Sequence, residues 1–216
     1  MIMKKYVINL KRRPDRLQNF KNNFGDFTDD IDIVYGFDGK YLLNESKEEQ
    51  ELVKKCFNIT IGEIGCALSH FRIYHDIINN NYDHAIIFED DARPTNDFVN
   101  KLEHILYEIK KDYDFLYIGG RFHIDFKMPD QYHHKVSSNI VQHYGEHYGP
   151  FHDRTTHGYI ISNKMARILL DIFNNNGLHR PFDHWLIEML KKEKVIIYNS
   201  HPLLCYSPMN SDTDIR

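Results

Sequence analysis

Short apolar runs rich in β-branched and aromatic residues recur along the chain, at positions 6–10, 31–35, 85–88, 115–118, 158–161 and 195–198. Runs of this length and make-up predict strands buried in a sheet. Between them, apolar residues fall three and four apart, as at Ile64, Leu68, Phe71, Ile73, Ile77 and Ile78, and again at Phe98, Leu102, Ile105, Leu106 and Ile109. That spacing predicts helices that lay one face on the sheet. Thr60 and Glu63 have the spacing of a capping box ahead of the first helix, and the runs Asn79-Asn80-Asn81 and Asn174-Asn175-Asn176 read as helix ends. The alternation predicts an α/β fold with a Rossmann-like, mostly parallel central sheet and helices on both faces. Sheets of this kind bind ligands beyond the carboxyl ends of their strands, so the residues after each strand are where chemistry is sought.

Composition narrows the picture. The chain has 216 residues, 42% of them hydrophobic and 13% aromatic, enough for one sizeable core, so 1–216 is expected to be a single domain. From about 121 to 156 the periodicity fades and histidines accumulate, among them His133, His134, His143 and His147. None has a metal-site spacing on a clear helix, so this stretch is expected to be a variable insertion and a solvated loop. A net charge of −4 supplies no broad basic surface for nucleic acid or an anionic membrane. No apolar run has the length of a signal peptide or a membrane span. The three cysteines, Cys56, Cys66 and Cys205, are widely spaced and unpaired in pattern, which suits a reducing, cytoplasmic setting. Heavy use of Asn, Ile, Lys and Tyr matches AT-rich coding sequences of some bacteria and large DNA viruses.

The most informative positions follow the apolar run 85–88, which delivers Glu89, Asp90 and Asp91 to a strand end. Adjacent carboxylates near a low-dielectric core repel one another unless a cation neutralises them. Hard oxygen donors suit Mn²⁺ or Mg²⁺ with positions left open for diphosphate oxygens. A solvated strand end that turns at Pro94 would carry the same acids without chemistry, and the triplet alone does not separate the two.

The order of further motifs does. Val7-Ile8-Asn9-Leu10-Lys11-Arg12-Arg13 is followed by Asp15-Arg16, Phe37-Asp38-Gly39-Lys40, Gly62-Glu63-Ile64-Gly65-Cys66 and Leu68-Ser69-His70. Next come Phe88-Glu89-Asp90-Asp91, Phe115-Leu116-Tyr117-Ile118-Gly119, Gly158-Tyr159-Ile160-Ile161-Ser162, Pro181-Phe182-Asp183, His201-Pro202-Leu203-Leu204 and Ser211-Asp212-Thr213-Asp214. In order and spacing the chain resembles glycosyltransferase family 25, which includes lipopolysaccharide galactosyltransferases and collagen hydroxylysine galactosyltransferases. The resemblance spans almost the whole chain and leaves out 121–156. It implies a GT-A fold and a Mn²⁺ or Mg²⁺ ion at the acidic triplet. It further implies inverting transfer of a hexose, galactose or glucose, from a UDP-sugar to a glycan or to hydroxylysine of a collagen-like protein. Collagen-modifying relatives are larger and secretory. Rival readings are a metal-dependent phosphohydrolase or nucleotidyltransferase, and a catalytically silent binding module of the same fold.

Roles follow from chemistry and position. Asn9 and Leu10 end the first strand, where backbone groups can read a base, and Arg12, Arg13 and Arg16 can bind phosphate in a bidentate manner. Asp38 and Gly39 can meet base or ribose, or be an ordinary turn. Ser69 and His70 are secondary donor contacts, with helix packing as their alternative. Asp90 is assigned to the donor, and Glu89 and Asp91 to the metal. The resemblance to GT-A enzymes, which often recruit a late histidine, implies His201 as a candidate third ligand, and Asp212 and Asp214 in the tail are alternatives to it. Inversion needs a base for the acceptor hydroxyl, and Asp183 is the candidate, with a helix cap as its bland alternative and Glu188 next in line. Trp185 reads as a sugar platform or as core.

Overall fold

The computed structural model describes residues 3–42, 46–109, 113–120, 133–143, 155–193 and 195–208. The first half runs β1 (Lys4–Asn9), α1 (Pro14–Phe24), β2 (Ile31–Tyr35), α2 (Lys47–Val53), α3 (Ile61–Asn79), β3 (His84–Glu89), β4 (Arg93–Pro94) and α4 (Phe98–Ile109). The second runs β5 (Phe115–Tyr117), β6 (Gly119–Gly120), β7 (His133–Lys135), β8 (Ile140–His143) and β9 (Gly158–Ser162). It closes with α5 (Asn163–Asn176), α6 (Phe182–Lys192), β10 (Ile197–Ser200) and β11 (Cys205–Tyr206). Each run expected to be a strand contributes one. The last is displaced to 197–200, because Ile196 is taken up by Asp114, whose backbone N–H donates to Ile196 O and whose carboxylate accepts the Ile196 N–H.

The main sheet has the order β2-β1-β3-β9-β5-β10-β8-β7. All strands run one way except β9 and β8, so the sheet is mostly parallel, with a reversed strand at its centre. A small second sheet, β4-β11-β6, caps the carboxyl side. Side chains alternate between two cores with the period of two that a strand imposes. Tyr6, Ala85, Ile87, Tyr159 and Ile161 pack under α3, α5 and α6. Val7, Ile86, Phe88 and Ile160 pack under α1 and α4. Helices therefore cover both faces, as a GT-A-like fold requires. Among the described residues no helix is long and apolar enough to cross a membrane.

The described part of the expected solvated loop, 133–143, is a hairpin of β7 and β8 that extends the sheet from β10. Ile140 and Val141 are buried and anchor it; a single apolar pair is too short to stand out among histidines. At the opposite edge, α3 starts on the expected capping box, with Thr60 accepting from the Glu63 N–H and Glu63 from the Thr60 N–H. A cap of this kind contributes about 1 kcal/mol. The helix lies tight against the loop after β2, since a Cβ on Gly65 would stand 2.5 Å from Phe37 O and one on Gly39 3.0 Å from Gly62.

Candidate functional site

Three strand termini meet at one edge of the sheet. In the parallel pair β1–β3, Ile8 stands opposite Glu89, so Asn9 emerges beside Asp90. In the antiparallel pair β3–β9, Phe88 stands opposite Gly158, which brings the residue before β9, His157, level with Glu89. The Glu89 N–H donates to His157 O at 3.3 Å. Asn9, Leu10, Arg16, Gly39, Ser69, His70, Glu89, Asp90 and Asp91 line one cavity together with Ile8, Phe37, Gly62 and Cys66.

The acids are held in different ways. Asp90 accepts from Asn9 Nδ2 at 2.6 Å and pairs with Arg16 at 2.5 Å. Burial pushes its carboxyl up; Arg16 and Asn9 oppose this, Asp91 and Glu89 add to it, and the result is about 7. Burial would raise Glu89 as well, but the hydrogen bond with His70, the charges of His157 and His70, and the Thr156 hydroxyl hold it well below the usual carboxylate range. Asp91 Oδ2 accepts from Ser207 Oγ at 3.0 Å and lies 3.4 Å from Arg16 and 3.6 Å from His157 Nε2. Asp91 Oδ1 is buried and has no hydrogen-bond partner among the described residues. An acceptor stranded in this way costs on the order of 1–3 kcal/mol unless something binds it. One ligand atom each from Glu89, Asp91 and His157 lie within 4.8 Å of one another, a hard oxygen-rich set with one imidazole that fits a divalent cation.

A model of the family described as "Glycosyltransferase family 25 (LPS biosynthesis protein)" matches residues 2–186. The chain belongs to glycosyltransferase family 25. Relatives of this family 25 chain include procollagen galactosyltransferase 1-B of Xenopus laevis, 29% identical over 98% of the chain and 33% of the relative. Procollagen galactosyltransferase 2 of Mus musculus is 30% identical over the same shares. The chain thus spans about a third of the length of these relatives. Among solved structures, A197 from STIV overlaps 92% of the chain and 81% of its own, with 10% identity and a TM-score of 0.43.

The other expected site residues of the family 25 chain fall around the cavity or away from it. Arg12 Nε donates to Asp38 Oδ2 at 2.5 Å, tying the loops after β1 and β2 together. Arg13 pairs with Asp15 and, with Arg16, lines a neighbouring groove beyond Asp90 and Asp91. Ser69 Oγ accepts the Phe37 N–H and donates to Gly65 O, so both its capacities fasten the loop to α3. Asp183 is in the first turn of α6, whose cap position is Pro181, and it accepts the His184 N–H at 2.8 Å. Burial, with the negative charges of Glu89, Asp183 and Asp91, pushes the Cys66 thiol up; Asp183 itself is not among the described residues that line the cavity. Glu188 is engaged by His179, Arg180 and Lys192.

Trp185 is fully buried against Phe71 and Phe182 and is core. His201 belongs to neither metal-capable group among the described residues, and its N–H donates to Asn139 O beyond β10. His147, Asp212 and Asp214 lie outside the described residues. His157 was not among the expected residues. Its signal was a histidine directly before the strand run 158–161, a position that a search of strand ends passes over.

Proposed function

We propose that this chain is a metal-dependent, inverting hexosyltransferase domain that moves galactose or glucose from a UDP-sugar to a hydroxyl of a glycan or of hydroxylysine in a collagen-like protein. The observation that carries the proposal is the convergence of His157 on Glu89 and Asp91, which line the cavity beside Arg16 and the end of β1, with Asp91 Oδ1 lacking a partner among the described residues. Glu89, Asp91 and His157 would hold Mn²⁺ or Mg²⁺, with His157 in the role expected of His201. When bound, the ion supplies a Lewis acid for the diphosphate charge that grows as the sugar leaves.

The remaining steps belong to the chain's own groups. Asn9 and Leu10 offer strand-end groups to the uracil, and Asp38 and Gly39, held by Arg12, offer contacts to the ribose. Arg16 and Arg13 bind diphosphate oxygens, and Arg16 exchanges part of its pairing with Asp90 to do so. His70 faces the reacting side from the floor of the cavity. Asp183 takes the proton of the acceptor hydroxyl as it attacks the anomeric carbon from the side opposite the diphosphate. The relatives named as galactosyltransferases favour galactose as the sugar.

Incubation with a panel of nucleoside-diphosphate sugars, with and without Mn²⁺, tests the reading. Metal-dependent release of UDP from one UDP-hexose, faster with hydroxylysine peptide or oligosaccharide present, is the expected result. No nucleoside diphosphate released from any donor, with either acceptor, would sink it.

A further inference from the structure

Cys66 and His70 are four residues apart on α3, hence on one side of the helix, and that side forms the floor of the cavity under Glu89. The Cys66 sulfur, an imidazole nitrogen of His70 and a carboxylate oxygen of Glu89 lie within 4.8 Å of one another. His70 Nδ1 is 2.7 Å from the Tyr159 hydroxyl, which is in turn 3.0 Å from the Tyr74 hydroxyl. His70 Nε2 is left facing Glu89 Oε1 at 3.4 Å. Metal-bound imidazoles are held with one nitrogen anchored outward, as Nδ1 is here, while Nε2 hydrogen-bonds Glu89, a contact that a bound ion would replace. Phe182 stacks on the ring at 4.6 Å and restricts its rotation. The half-buried Cys66 thiol makes no hydrogen bond among the described residues, so no protein partner competes for it.

Glu89 therefore belongs to two donor sets of unlike character. With Asp91 and His157 it offers hard oxygens and one nitrogen; with Cys66 and His70 it offers sulfur, nitrogen and oxygen. The first suits Mn²⁺ or Mg²⁺, the second a thiophilic ion that accepts tetrahedral geometry. We infer that Cys66, His70 and Glu89 form a binding site for a thiophilic divalent cation of the Zn²⁺ class, whose occupancy draws Glu89 away from Asp91 and His157. The thiol releases its proton to solvent on binding, and thiolate and carboxylate together balance the two charges of the ion. The fourth coordination position opens into the cavity. Binding at Cys66 stands on this geometry alone, whereas the antagonism toward Mn²⁺ rests on the metal centre described under Proposed function.

Co²⁺ in place of Zn²⁺ makes the sulfur ligand visible, because a cobalt–thiolate bond gives a charge-transfer band in the near ultraviolet. Titration of the intact chain should raise that band to one equivalent, and Zn²⁺ should remove it. Asp91→Ala should keep the band; Cys66→Ser and Cys66→Ala should lack it. No band in the parent chain, or a band that survives in a folded Cys66 variant, overturns the site. In parallel, free Mn²⁺ followed by paramagnetic resonance should show Zn²⁺ raising the Mn²⁺ midpoint roughly tenfold in the parent and not in Cys66→Ser. A cobalt band without any displacement of Mn²⁺, or without Mn²⁺ binding at all, overturns the antagonism and leaves the thiolate site standing.

Discussion

On the face under α1 and α4, Phe24 meets Phe20, Phe88 and Phe98 at ring separations of 4.4, 5.1 and 5.2 Å, and Phe27 closes on Phe98 at 5.1 Å. Those side chains carry no polar atom. On the face under α3, α5 and α6, the buried rings of His70, Tyr74 and Tyr159 are joined by hydrogen bonds, and the row ends at Glu89. Both faces bury aromatic area, but the second also fixes the direction of an imidazole and, through it, of a carboxylate. The contrast assigns stability alone to one face, and stability together with site geometry to the other.

Substitutions can break that contrast, and the largest expected effect is on the phenylalanine face. Phe24→Ala should cost about 3–5 kcal/mol, the range for deleting a buried ring. Denaturant unfolding measures this, and Mn²⁺ affinity below the transition should equal that of the parent; a weakened ion site would mean the two faces are coupled. Next is Asp91→Ala, which should weaken Mn²⁺-dependent UDP binding by about a hundredfold or more, since even the loss of an outer-shell partner costs 10–100-fold. Its melting temperature should hold, because one of three crowded acids is removed. Calorimetric titration with UDP and Mn²⁺ decides this, and parental affinity would take Asp91 out of the centre.

Asp183→Asn should lower transfer about a hundredfold, roughly 2.7 kcal/mol, with UDP affinity little changed. Parental turnover in that variant would reject Asp183 as the base. The smallest effect is expected for Tyr159→Phe, which deletes the hydroxyl between His70 and Tyr74. It should cost about 1 kcal/mol in stability and up to about tenfold in Mn²⁺ affinity, a pairing that no change on the phenylalanine face should produce.

Much of this was legible in the sequence because local rules agreed. The apolar runs became strands, Thr60 and Glu63 capped α3, and Asn79 and Asn176 closed α3 and α5. The acidic triplet stood where a buried strand had to end. What escaped was long-range. Nothing within 158–162 distinguishes a strand that runs with its neighbours from one that runs against them, yet reversal puts its start, and so His157, at the ligand edge. The pairing of β8 with β10 was hidden for a related reason, since two apolar residues are decisive only where the sheet already offers an edge. Ser69 illustrates the reverse: the motif flagged the residue, and the structure uses both its hydrogen-bonding capacities to hold a loop.

Strand β9 is bonded along both edges, to β3 and to β5, and follows both in the chain. During synthesis the two earlier strands leave the ribosome as unpaired apolar edges, the kind that invites association with other chains. They stay so until the later strand threads between them. Glu89 and Asp91 belong to one side of that seam and His157 arrives with the strand that closes it, so whatever binds all three stabilises the closed seam, by an amount that rises with the logarithm of its concentration over its dissociation constant. A ligand of the finished protein is by this route also a clamp on the closing of that seam.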